Sequence, residues 1–167
     1  YPFTEQIDDS SDREVWNAKY DFLLDNIADA NSSQFVYLHT MAGHSPYIFT
    51  SDGGVVPQSE RENNIDRQYY LGQYKFATKK TMDVVDAILE HDSECIIILM
   101  SDHSMRSTLD SNGTYIVLPQ DKVTIFNAVY FKGEDISEIN NQSGVNTLRI
   151  IIDRLFGSNL GLVEVPV

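Results

Sequence analysis

The chain has 167 residues, 42% of them apolar, enough to bury a core and to exclude wholesale disorder. Its 25 acidic residues against 12 basic ones leave a formal charge of −13, which counts against nucleic acid and an anionic membrane surface as partners. The longest apolar run, Cys95–Met100, falls well short of the ~18 residues a membrane span needs, and a single cysteine cannot close an internal disulfide.

Residues 1–10 read as a loose lead-in, and the start at Tyr1 reads as a processed or truncated end. Ser11-Asp-Arg-Glu14 has capping-box spacing and predicts a helix start. Trp16, Tyr20, Leu23 and Ile27 then recur at helical spacing as one apolar face, and Asn31-Ser-Ser33 ends the helix. Phe35-Val-Tyr-Leu-His39 is rich in strand formers. Residues 40–64 carry Gly, Pro, Ser and Asn throughout, a long loop of the kind that serves function.

A second helix is predicted over 65–90, with Tyr70, Tyr74, Ala77, Thr81, Val84 and Ile88 as its buried stripe. Cys95–Met100 predicts a buried, parallel strand. A polar loop covers 101–113, and 115–118 and 123–131 are further strand candidates. Ser143 caps a last helix, Val145–Phe156, with Gly157 at its C-terminal cap. Strand 35–39, helix 65–90 and strand 95–100 make a βαβ unit, whose crossover would set the two strands parallel in one sheet. The whole of 1–167 reads as a single α/β domain, or a piece of one.

Sites in open α/β sheets form beyond the carboxyl ends of the strands. His39 and His44 follow the first strand; Asp102 and His103 follow the second. An aspartate and three of the four histidines would thus share one sheet edge. Asp and His are a natural pair for a divalent cation such as Zn²⁺, one an anionic oxygen ligand and the other a neutral nitrogen ligand. Two ligands do not complete a site, and the sequence offers no second carboxylate cluster. Bland readings stay open beside this one. Asp102 fits a helix cap, His44 a turn histidine bonded to backbone, and His39 a satisfied core or edge residue. His91 fits a C-terminal dipole partner, and the Tyr69, Tyr70 and Tyr74 group fits packing.

These residues also carry a resemblance. Phe35-Val-Tyr-Leu-His-Thr-Met-Ala-Gly-His-Ser-Pro-Tyr-Ile-Phe49, followed by Asp52-Gly53, resembles the F-x-x-x-H-x-x-x-x-H-x-P-[YF] stretch of bacterial sulfatase-like proteins of the alkaline-phosphatase superfamily. Among these are phosphoethanolamine and phosphoglycerol transferases of the cell envelope. The helix with Gln73-Tyr-Lys-Phe76 at its centre is similar to their Y-x-x-Q-x-x-[YF] helix, and Ile96 through Asp102-His103 to their strand ending in Asp-His-Gly. Phe126-Asn-Ala-Val-Tyr130, Val145-Asn-Thr-Leu-Arg149 and Leu155-Phe-Gly157 resemble their C-terminal elements.

The resemblance covers about residues 15–165. It implies the C-terminal part of an alkaline-phosphatase-like fold, a mainly parallel sheet flanked by helices. Asp102 and His103 become ligands of a divalent metal (Zn²⁺, Mn²⁺, Mg²⁺ or Ca²⁺). His44 binds the oxygens of a phosphate- or sulfate-ester substrate, and His39 takes a matching catalytic histidine position. The implied reaction is hydrolysis or group transfer through a covalent intermediate, with metal and histidines neutralising charge on the non-bridging oxygens. The implied location is the extracytoplasmic face of the cell membrane, reached through an upstream anchor.

Two departures stand out. Ser104 replaces the glycine after Asp-His, and nothing in residues 1–34 matches the family's nucleophile or its first acidic ligand. The expectation is therefore a fragment inactive on its own. The alternative is a non-catalytic α/β binding module derived from the same fold, using the 40–64 loop to hold a partner.

Overall fold

The computed structural model of the chain describes residues 9–27, 32–41, 43–61, 67–103, 107–112, 114–117 and 125–164. Ser104 lies outside these residues, as do residues 123–124 of the last predicted strand. The structure is α/β in the general sense, helices with small antiparallel sheets. It divides into two compact units, Tyr1–Ser93 with Ser107–Ile116 and Glu94–Arg106 with Val117–Val167.

The first unit is built on two helices, α1 (Asp9–Asn26) and α3 (Arg67–His91), with a single helical turn, α2 (Gln58–Arg61), between them. Helix α1 includes Ser11, so the predicted cap lies inside the helix. The apolar face of α1 packs as its spacing predicts, with Trp16 and Tyr20 buried and Leu23 half-buried. The Trp16 ring lies 4.7 Å from Tyr20, 4.9 Å from Phe49 and 5.4 Å from Phe76, an aromatic cluster at the heart of this unit. Tyr20 and Thr81 link the two helices through their hydroxyls at 3.3 Å. Further along the chain, β2 (Ser107–Leu109) and β3 (Tyr115–Val117) pair as a short hairpin.

The stripe of α3 differs from the prediction at one position. Ala77 and Val84 are buried, but Tyr74 is 42% exposed while Gln73 is only 3% exposed. Hydropathy favours the tyrosine, yet a glutamine can face inward when both ends of its amide are hydrogen-bonded, and here they are.

Residues 35–39 take part in no strand pairing among the described residues, contrary to the predicted βαβ unit. Leu38 packs against the core, while Phe35 is 92% exposed and Tyr37 77%. The segment is tied to α1 by the Lys19 ammonium, which donates to the His39 carbonyl at 3.2 Å.

In the second unit, β1 (Ile96–Met100) pairs with β4 (Asn127–Phe131). The pairing is antiparallel, not the parallel alignment expected for the 95–100 strand, and its register runs from Ile96 opposite Phe131 to Met100 opposite Asn127. It sets four apolar residues, Ile96–Leu99, across from the apolar run Ala128–Phe131, so cross-strand apolar pairs hold the ladder.

After a 3₁₀ turn at Ser137–Ile139 comes α4 (Gly144–Phe156). It is delimited as its sequence predicts. The Ser143 side chain accepts from the Asn146 N–H, and Gly157 sits at φ 60° in the left-handed region. Thr147, wholly buried, accepts from the Asn127 amide at 2.7 Å and so ties α4 to the start of β4.

Candidate functional site

The predicted site residues fall in two groups, one in each unit. The first is the loop that carries His44. His44 N–H donates to the Met41 carbonyl at 2.9 Å, closing a tight turn. The ring Nδ1 lies 2.5 Å from the Ser45 carbonyl oxygen. A carbonyl only accepts, so Nδ1 carries the proton, and Nε2 is the nitrogen left for any further partner.

Beyond the cis Ser45–Pro46 bond the chain turns inward, and Tyr47, Ile48 and Phe49 are all buried. Tyr47 meets the edge of Tyr70 at 5.8 Å. Burial pushes the Tyr47 hydroxyl pKa up, and the neighbouring Tyr70 adds to the shift.

Phe49 bridges to Val55 across a reversal at 50–54, where Thr50 N–H donates to Gly54 O at 2.9 Å and Gly53 N–H to Thr50 O at 3.0 Å. Gly53 sits at φ 87°, and a Cβ there would lie 2.6 Å from the Phe76 ring, so both backbone and packing require glycine. The Asp52 carboxylate accepts from the Thr50 hydroxyl and the Gly54 N–H. These bonds, the Thr50 hydroxyl first, hold its pKa below the ordinary value.

One helix side chain anchors this loop. Gln73 Nε2 donates to the His44 carbonyl at 3.0 Å, and its Oε1 accepts from Ile48 N–H at 2.7 Å and Phe49 N–H at 3.2 Å. Tyr70, Gln73 and Phe76, the three motif positions of this helix, thus meet Tyr47, the loop backbone and the Phe49–Gly53 turn. Sequence reasoning placed Gln73 in a motif but gave it no role. Its signal was a polar residue at a stripe spacing of three and four from Tyr70 and Ala77.

His39 does not join this arrangement through any recorded side-chain hydrogen bond. Its side chain is exposed, with its ring 6.2 Å from that of Tyr37.

The second group leaves the carboxyl end of β1. Ser101 ends the ladder with a double link to Phe126. Its N–H donates to the Phe126 carbonyl at 2.9 Å, and its hydroxyl accepts from the Phe126 N–H at 2.8 Å. Asp102 and His103 follow at once. Asp102 Oδ1 accepts from the His103 N–H at 3.0 Å, and Oδ2 lies 3.6 Å from His103 Nε2.

That spacing suits shared ligation of one cation. Ligand bonds of about 2.1 Å meeting at a tetrahedral or slightly wider angle put oxygen and nitrogen about 3.4–3.6 Å apart. The carboxylate is open to solvent and the imidazole largely covered, so the pair is reachable from water. Among the described residues no group of three or more His, Cys, Asp or Glu could hold a metal ion.

Two open surface cavities among the described residues include no predicted site residue. One, of about 410 Å³, is lined by Glu138, Gln142, Ile150, Asp153, Arg154, Gly161 and Leu162. The other, of about 350 Å³, is an apolar groove on α1 lined by Val15, Ala18, Lys19, Phe22 and Leu38.

No family model matches the chain, and no curated protein and no solved structure matches it either. No helix among the described residues is long and apolar enough to cross a membrane.

Proposed function

We propose that this chain forms part of a metal-dependent, sulfatase-like hydrolase or phosphotransferase acting on sulfate or phosphate esters, with the envelope-facing location that the resemblance implies. The observation that carries the reading is the Asp102–His103 corner, a carboxylate oxygen and an imidazole nitrogen 3.6 Å apart at a strand's carboxyl end. Asp102 and His103 would hold the divalent cation. Bound there, such a cation supplies positive charge to the non-bridging oxygens of the ester.

A cation fits the chain's electrostatics. A protein of net charge −13 repels an anionic ester unless local positive charge offsets the field. His44, with Nδ1 committed to Ser45, has Nε2 to turn toward an ester oxygen. His39 belongs to the same proposed catalytic set. The alkaline-phosphatase-like fold that the resemblance implies is part of this proposal.

The test is calorimetric titration of the 167-residue chain with inorganic sulfate, with and without Zn²⁺. Sulfate binding is expected only with the cation, and Asp102→Ala and His44→Ala should each weaken it about tenfold. Binding that ignores the cation and both substitutions would overturn the reading and favour the non-catalytic α/β module.

A further inference from the structure

We infer that Gln73 is a positioning residue for His44, a buried amide that sets where the histidine loop stands. The site role of His44 rests on the function proposed above. The positioning itself stands on hydrogen bonds and burial alone.

The Gln73 amide is bonded at both ends. A primary amide offers two donor hydrogens and an acceptor oxygen, and Gln73 uses both ends on backbone groups of one loop. The oxygen takes two N–H groups, from Ile48 and Phe49, at 2.7 and 3.2 Å. The nitrogen gives a hydrogen to the His44 carbonyl at 3.0 Å. Residues 44, 48 and 49 are thereby fixed to a single atom group on the interior face of α3.

The second argument is cost. Gln73 is 3% exposed, and burying an amide without partners is unfavourable by about 1–3 kcal/mol on mutational scales. A leucine or methionine would fill this stripe position with no such demand. Residues 47–49 pack through apolar and aromatic contacts that need no amide. What the amide adds is a fixed direction for the backbone at His44, the point where the chain leaves the core and the side chain becomes exposed.

The third argument is rigidity. The neighbours of Gln73 on α3 also grip the loop. Tyr70 lies against Tyr47, and Phe76 lies 4.9 Å from Phe49 and against Gly53. Three consecutive inward positions of one helix thus hold one loop, and the polar one reaches the histidine residue.

Replacement of Gln73 by Glu separates positioning from folding. A carboxylate keeps the acceptor for Ile48 and Phe49 but cannot donate to the His44 carbonyl. The experiment records the His44 ring carbon–proton NMR signal, assigned with His44→Ala, during titration with inorganic sulfate in the presence of Zn²⁺. It compares the native chain, Gln73→Glu and Gln73→Leu, with melting followed in parallel.

Gln73→Glu should keep the Ile48 and Phe49 amide signals but shift and broaden that of His44, and weaken its response to sulfate about three- to tenfold. Gln73→Leu should do the same and lose the Ile48 and Phe49 signatures as well. An unchanged His44 signal in a folded Gln73→Glu chain would overturn the inference. A His44 signal that moves with Gln73 but never responds to sulfate, even in the native chain, would uphold the positioning and sink the ester-binding role instead.

Discussion

The His44 loop and the Asp102–His103 corner are held in opposite ways. The loop is locked from outside itself. Aromatic rings and the Gln73 amide, all contributed by helices, fix its backbone at several points. The corner is held at the end of its own strand, through Ser101 and Phe126, and by the contact of its two side chains. The loop is therefore preorganised before any ligand arrives. The corner keeps an exposed carboxylate, as the proposed cation ligand would need.

Substitutions can break this contrast from either side. The largest effect should come from Trp16→Ala, which removes the ring at the centre of the cluster that backs the loop. It is expected to cost about 3–5 kcal/mol in urea denaturation and to release the loop amides to hydrogen exchange. Thr147→Val comes next. It keeps the shape of a fully buried side chain but strands the Asn127 amide, and should cost about 1–3 kcal/mol by the same measurement. Since Asn127 stands opposite Met100, the Asp102 and His103 backbone signals should shift as well.

Gly53→Ala should cost about 1–2 kcal/mol, because an L-residue is strained at φ 87° and its Cβ would collide with Phe76. The smallest effect belongs to the Thr50–Gly54 turn. The Asp52 pKa is lower folded than unfolded, so its contribution is present above the ordinary carboxylate range. That contribution is lost as pH falls through the folded value. An acid titration followed at the Gly54 amide should show loosening only below about pH 4, and Asp52→Asn should remove that step.

Much of this was legible from the chain, and the failures have a common cause. Periodicity located α1 and α3, because a helix is set by residues three and four apart, all within one stretch of sequence. Ser143 and Gly157 marked the ends of α4 for the same local reason. Strand pairing is not local. Ile96–Met100 was readable as a strand, but nothing within it states which partner it takes, and the partner is antiparallel β4. Phe35–His39 has strand composition but no strand pairing among the described residues, since composition reflects only fitness for a sheet. In the site, adjacency put Asp102 beside His103. The role of Gln73 escaped notice because its partners are backbone groups 24 to 29 residues away, which no side-chain motif displays.

The most direct test is a Zn²⁺ titration followed on the ring proton of His103, in the native chain and in Asp102→Asn. The account expects a saturable shift in the native chain and an affinity lower by about tenfold or more in the variant. A His103 signal that ignores Zn²⁺, or equal affinity in both proteins, would contradict it.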